Sequence, residues 1–169
     1  MGVLCDNIGK FRDGITHYKK FLQVCRSIGD VHGEALAYNC IGVNYQLLAE
    51  EDIKLFKEAI EYHNKHEELA DVNGKFLASI NLGLCYDRQE DYKNAMQYYQ
   101  NALRFSIKMA NLVGQTIAIG NIGRIGTKGL HQNKEKMKVF VEKYLKLSTE
   151  LRDKRGETKA YMKMGTLNV

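Results

Sequence analysis

The stretch DVNGKFLASINLGLCYDRQEDYKNAMQYYQNAL, Asp71 to Leu103, holds two helix-like apolar patterns, and an aspartate opens each of them. Its first four residues are a turn signal that the chain repeats. DVHG occupies Asp30 to Gly33, DVNG Asp71 to Gly74, NLVG Asn111 to Gly114 and DKRG Asp153 to Gly156, at steps of 41, 40 and 42 residues. Self-similarity at a fixed period of this size marks an array of small supersecondary units rather than one globular core.

Aligned on those glycines, the chain shows more than a turn. Four residues on stand Ala37, Ala78, Ala118 and Ala160. Eight and nine residues on stand Ile41-Gly42, Leu82-Gly83, Ile122-Gly123 and Met164-Gly165, and Tyr45 and Tyr86 follow at twelve. Spacings of four, eight and twelve residues drift slowly around a helix, so these positions form one buried stripe. Glycine within a helix costs about 0.5–1 kcal/mol relative to alanine. Its recurrence at one register therefore predicts a close approach between helices.

The second half of each repeat is periodic too. DYKNAMQYYQNAL (Asp91 to Leu103) puts Tyr92, Ala95, Met96, Tyr99 and Leu103 on one face. KFRDGITHYKKFL (Lys10 to Leu22) matches it with Phe11, Gly14, Ile15, Tyr18 and Leu22. Each repeat thus reads as two antiparallel helices that cannot bury their faces alone, so that stacking supplies the core. Each Asp or Asn of the turn signal is placed to cap the incoming helix, and its glycine reads as permitting the tight join. Glu34 and Glu157 follow that glycine at once, where a helix N-terminus favours negative charge.

The pattern resembles the tetratricopeptide repeat family, carried by INLGLCY (Ile80 to Tyr86) and DYKNAMQYYQNAL. The step of about 40 residues, longer than that family's usual 34, is similar to its LGN/Pins-type subclass. The resemblance covers nearly the whole chain. It implies an all-α, right-handed helical-hairpin solenoid of about four repeats with incomplete ends. One array would run over residues 1–169, with approximate repeats at 1–32 (partial), 33–73, 74–113, 114–155 and 156–169 (partial). Two stretches depart from the pattern. Gln46 to Asp71 places EAIEYH one helical turn later than its counterpart NAMQYY, which predicts shifted packing. Arg124 to Phe140 replaces the tyrosine by Gly126 and reads as degenerate. The first residues align within a first helix and the last ones end on a first helix. That predicts apolar ends covered either by more of the array or by a partner.

Composition narrows the function classes. Hydrophobic residues make up 44% and charged residues 27% of the chain, the mix of a folded domain rather than a disordered segment. No apolar run reaches the roughly 18–20 residues of a membrane span, and nothing at the start reads as a signal peptide. Met1-Gly2 fails as a myristoylation site because Asp6 stands where Ser or Thr is needed. Cys5, Cys25, Cys40 and Cys85 show neither CxxC nor disulfide-style spacing. Buried thiols in an intracellular protein, cytoplasmic or cytoskeletal and with the cilium among the settings considered, are the expectation.

Candidate chemistry is sparse. His63 and His66 have a metal-compatible i, i+3 spacing but lack a convincing third ligand. Cys85 has no histidine at motif spacing. Gly123-x-x-Gly126-x-x-Gly129 follows no strand, so it fails as a phosphate loop. The expectation is therefore no enzyme, no metal and no cofactor. Charge is uneven within the net +5: Glu50 to Asp71 carries eight acidic and three basic residues, Lys128 to Lys163 eleven basic and five acidic. The basic segment could draw phosphates, with Tyr144 and Tyr161 to stack on bases. Its lysines alternate with acids, however, as on a solvated helix face, and nucleic acid is not the expected partner.

Positions seven and ten residues after each glycine share a helix edge: Cys40, Asn81, Asn121 and Lys163, then Val43, Leu84, Arg124 and Thr166. An asparagine amide is donor and acceptor at once and can match a peptide backbone. The family resemblance implies that role for Asn81 and Asn121, on the concave side, while Cys40 and Lys163 break the row. Arg88, Arg124, Lys128, Lys159 and Lys163 lie along the same helices and favour an acidic peptide or a terminal carboxylate. The expected function is a non-catalytic scaffold or adaptor that binds an extended, acidic segment of a protein partner in this groove. The bland alternative makes the asparagines bridges between repeats and the cations ordinary surface. The runner-up is a structural subunit that docks through convex and end surfaces into a large cytoskeletal or ciliary complex.

Overall fold

The computed structural model describes residues 1–126 and 134–167, and the described residues are all-α. Among the described residues nine helices follow in order: α1 (Gly2–Asn7), α2 (Phe11–Ile28), α3 (Val31–Leu48), α4 (Phe56–Leu69), α5 (Val72–Arg88), α6 (Tyr92–Lys108), α7 (Leu112–Gly126), α8 (Lys134–Glu150) and α9 (Lys154–Leu167). A short 3-10 turn, Ile53–Leu55, precedes α4. It takes up the extra turn that the sequence shows between Gln46 and Asp71.

The chain divides into two compact halves, Met1–Cys85 and Tyr86–Val169. In the first, α1 packs on α2, α2 on α3 and α3 on α4. In the second, α6 packs on α7, α7 on α8 and α8 on α9, with α7 also against α9. Neighbours in sequence are neighbours in space, as stacked helical hairpins require.

The recurring aspartates do two jobs. At the end of α2, the amide of Gly29 donates to Arg26 O and that of Asp30 to Cys25 O, closing the last turn in a Schellman pattern. The Asp30 carboxylate then accepts from Gly33 N at 2.9 Å and caps α3. Asp91 and Asn111 repeat both halves of this device, accepting from Asn94 N and Gly114 N. Asp71 caps α5 through Gly74 N at 2.8 Å, although there the chain enters from Ala70 in an extended conformation.

The glycine of the turn signal permits the join by its size and not by a left-handed backbone. Gly33, at the third position of α3, lies inside the helix. The left-handed residue is the one before the cap: Gly29 at φ 71°, Glu90 at 60°, Ala110 at 52° and Arg152 at 55°. Gly33 is small for another reason. A β-carbon there would run into Cys25 Sγ at 2.5 Å, and one on Gly74 would meet Ala70 Cβ at 2.5 Å. These glycines let the preceding helix end directly against the next one.

The small-residue stripe is the core. Ala37, Ile41, Ala78, Leu82, Ala118, Ile122 and Ala160 are fully buried. In the first half Ile15, Tyr18 and Leu22 of α2 close over Ala37, Tyr38 and Ile41 of α3. In the second, Val141, Tyr144 and Leu147 of α8 close over Ile119 and Ala160. Close approach is realised at Gly42 of the repeated glycines, where a β-carbon would meet the His63 ring at 2.7 Å, and also at Gly2 of α1, where one would meet the Tyr18 ring at 2.7 Å. Gly123 has ordinary contacts and Gly165 open space around the same point. Tyr45 and Tyr86, at the end of the stripe, are half-buried and stack on Tyr62 and Tyr98.

Candidate functional site

Within the second half, α7 and α9 lie side by side and leave a cleft of about 360 Å³ between them. Thr116, Ile117, Gly120, Asn121 and Arg124 of α7 form one side, and Lys159 and Lys163 of α9 the other. Tyr144 of α8 and the cap residue Asp153 complete the lining. Four of the residues read from sequence, Asn121, Arg124, Lys159 and Lys163, therefore converge on one concavity.

Asn121 is fixed by its own helix. Its Nδ2 donates to Ile117 O at 3.1 Å and its Oδ1 accepts from Arg124 Nη2 at 3.2 Å. These bonds use one of two donors and one of two acceptor lone pairs of the amide. Arg124 is held on a second side. Its Nη1 pairs with the buried carboxylate of Asp87, and its Nη2 also donates to Tyr99 Oη at 3.3 Å. The guanidinium is thus oriented and partly neutralised from below, while Lys159 is exposed and Lys163 half-buried.

Gly120 sets the depth of the cleft. A β-carbon there would stand 3.2 Å from Tyr144 Cε2, so the ring rests nearly on the α7 backbone. Burial, with the Asp153 charge as a lesser cause, pushes the Tyr144 hydroxyl above its ordinary pKa, and the ring stays neutral and largely apolar. Ile117 is 45% exposed and adds an apolar contact. Its register, three residues after the turn glycine, is shared by the exposed Leu36 and Leu77 of the first half, and by Lys159. That row is visible in the sequence once the glycines are aligned, but exposed leucines carry no functional signal by themselves.

Asn81 occupies the same register on α5 in the first half. Its Nδ2 donates to Asn39 Oδ1 of α3 at 3.3 Å, a bridge between first helices of successive repeats. Asn39, one position before the Cys40 that breaks the asparagine row, was not singled out by the spacing. Arg88 is exposed at the end of α5 and does not line the cleft. Lys128, with Gly129 and the side chain of Thr166, lies outside the described residues.

The histidines are interior. His63 is fully buried and His66 is 5% exposed. His63 Nε2 lies 3.3 Å from Gln46 Oε1. Burial drives its pKa down to about 3, so it stays neutral. Cys85 is buried, its thiol pushed up to about 12 by desolvation, which removes the thiolate that nucleophilic chemistry needs. The cysteines described are free thiols: Cys5, Cys25 and Cys85 buried and Cys40 half-buried.

No protein-family model matches the chain. Over 113 residues, 66% of its length, it is 26% identical to "Tetratricopeptide repeat protein 29" of Trypanosoma brucei brucei (strain 927/4 GUTat10.1). This match supports a tetratricopeptide-like repeat. The chain spans 23% of that relative's length. Among the described residues, no helix is long and apolar enough to cross a membrane.

Proposed function

We propose that the protein is a non-catalytic interaction scaffold whose α7–α9 cleft receives an extended, acidic segment of a protein partner. The single observation that carries this reading is the convergence of Asn121, Arg124, Lys159 and Lys163 on one cleft. The amide can pair with a peptide backbone, the lysines supply charge-assisted bonds to carboxylates, and Ile117 with Tyr144 supplies apolar contact. Asp87 holds Arg124 as a positioned donor, and the added attraction for acidic groups comes from Lys159 and Lys163. The 40- to 42-residue step and the asparagines seven residues after the turn glycines extend the proposal to the longer LGN/Pins-type subclass.

A photo-crosslinking amino acid at Ile117 tests the site. It should capture a partner, whereas the same group at Lys108, exposed at the end of α6, should not. Equal capture at both positions, or none at Ile117 with capture at Lys108, contradicts the assignment.

One observation favours a second reading, the structural subunit docked through convex and end surfaces. Phe21, Val24 and Ile28 form an apolar stripe on α2 and are 40, 56 and 70% exposed. Crosslinking at Val24 rather than at Ile117 would support it.

A further inference from the structure

The buried face of α4 differs in kind from those of its counterparts. Four residues after the small residue of each second helix stand Tyr18 (after Gly14), His63 (after Ala59) and Tyr99 (after Ala95). All three are buried. Three residues further on, the register holds Phe21, His66 and Ala102. Only α4 of these three fills both positions with titratable imidazoles.

Both rings are wedged against glycine. The His63 ring lies where a β-carbon of Gly42 on α3 would stand 2.7 Å from Cε1 and 2.8 Å from Nδ1. His66 Nε2 would be 3.1 Å from a β-carbon of Gly74 on α5. Among the described residues, the Nδ1 atoms of both rings are buried without a hydrogen-bond partner. An imidazolium carries a proton on each nitrogen and needs an acceptor for both. Among the described residues neither Nδ1 has one, and at His63 a water reaching Nδ1 from the Gly42 side would have to enter a contact that lacks room for a methyl group.

The surrounding charges do not offset this. From α3, His63 faces the neutral amide of Gln46. From α5 the Cys85 thiol reaches the same Gln46 oxygen at 3.7 Å, and from its own helix His66 adds like charge. His66 faces Asp71 at the start of α5, which favours the charged ring, but burial outweighs it. The Asp71 carboxylate is already committed to capping Gly74 N.

We propose that α4 is a proton-sensitive element, in which protonation of His63 and His66 in mildly acidic surroundings releases the helix from the Gly42 and Gly74 seats. The sign follows from linkage. A histidine neutral in the closed form and ordinary in the open one makes the open form bind more protons as pH falls below about 6.5. The closed state is favoured in full above that value and progressively loses its advantage down to about pH 3 for His63.

Amide hydrogen exchange of the intact chain at pH 7.5 and 5.0, corrected for intrinsic rates, reads the device. His63 alone, moving from about 3 in the closed form to 6.5 in the open one, raises the opening constant of α3 and α4 about 30-fold at pH 5.0. Amides of α6 and α7 should move far less, and the variant H63Q/H66Q should lose the pH dependence. Unchanged opening of α4, an equal rise in both halves, or a pH dependence retained in H63Q/H66Q overturns the proposal. Should that variant not fold, imidazole NMR of the wild type decides. Rings that titrate near pH 6.5 while α4 stays closed overturn it, and rings that charge only with opening support it.

Discussion

The imidazole of His63 rests on the backbone of Gly42, so closely that a single methyl group on that glycine would stand 2.7 Å from the ring. This contact explains why glycine is kept in mid-helix at a position where alanine would favour the helix itself. Substituting Gly42→Ala should destabilise the chain by about 1–3 kcal/mol, the range for overpacking a filled core. The same change in a His63→Ala background should cost much less, because the clash partner is gone. Urea unfolding of the four chains of this cycle measures it. Additive effects would show that the seat is not a true contact.

A second prediction concerns the left-handed residues before the caps. Ala110 and Arg152 hold φ values of 52° and 55°, where a β-carbon costs roughly 1–2 kcal/mol. Ala110→Gly should therefore raise stability by about 0.5–1 kcal/mol after the extra chain entropy of glycine is subtracted. Gly29→Ala should lower it by a similar amount. A lower melting temperature for Ala110→Gly would mean that the Schellman closure is not formed there in solution.

Arg124 makes a third case. Its partner Asp87 has a side chain only 5% exposed, and removing the guanidinium leaves a buried charge. Arg124→Met should cost on the order of 3 kcal/mol, the lower end for a broken buried pair because Arg124 itself is one-third exposed. Lys163→Gln and Asn121→Ala should each cost under about 0.5 kcal/mol, as most surface changes do. Thermal melts of the three variants check the order. If Arg124→Met melts like wild type, the Asp87 pair does not hold the guanidinium in solution.

The caps give a fourth. Asp30 and Asp91 each accept a backbone N–H from the third residue of the following helix, so Asp30→Ala and Asp91→Ala should each lose about 0.5–2 kcal/mol. Asp30→Asn should retain most of that stability, and a loss as large as alanine's would show that charge, rather than the hydrogen bond, carries the cap.

What the sequence makes legible follows from what repeats. Ala37, Ala78, Ala118 and Ala160 are buried as their common register requires, and the caps fall where Asp and Asn recur. The left-handed corners were not legible, since Glu90, Ala110 and Arg152 are residues that ordinarily avoid that conformation. For His63 the alignment of EAIEYH with NAMQYY already gives the register of the buried Tyr99, whereas the i, i+3 spacing with His66 alone leaves solvated and packed faces equally open. At the cleft, Asn121, Arg124, Lys159 and Lys163 share a helix edge in the register, but the pairing of Arg124 with Asp87 joins residues 37 apart. No local spacing announces it.

The central claim is that the α7–α9 cleft binds acidic peptide segments. Selection of random twelve-residue peptides on the immobilised chain, followed by affinity measurement against the variant N121A/K159Q/K163Q, tests it most directly. The account predicts recovered sequences enriched in Asp and Glu. Their affinity should fall at least tenfold on the variant and weaken with added salt, while helicity and melting stay close to wild type. Peptides without acidic enrichment, or acidic ones that bind the variant as well as the wild type, would contradict it.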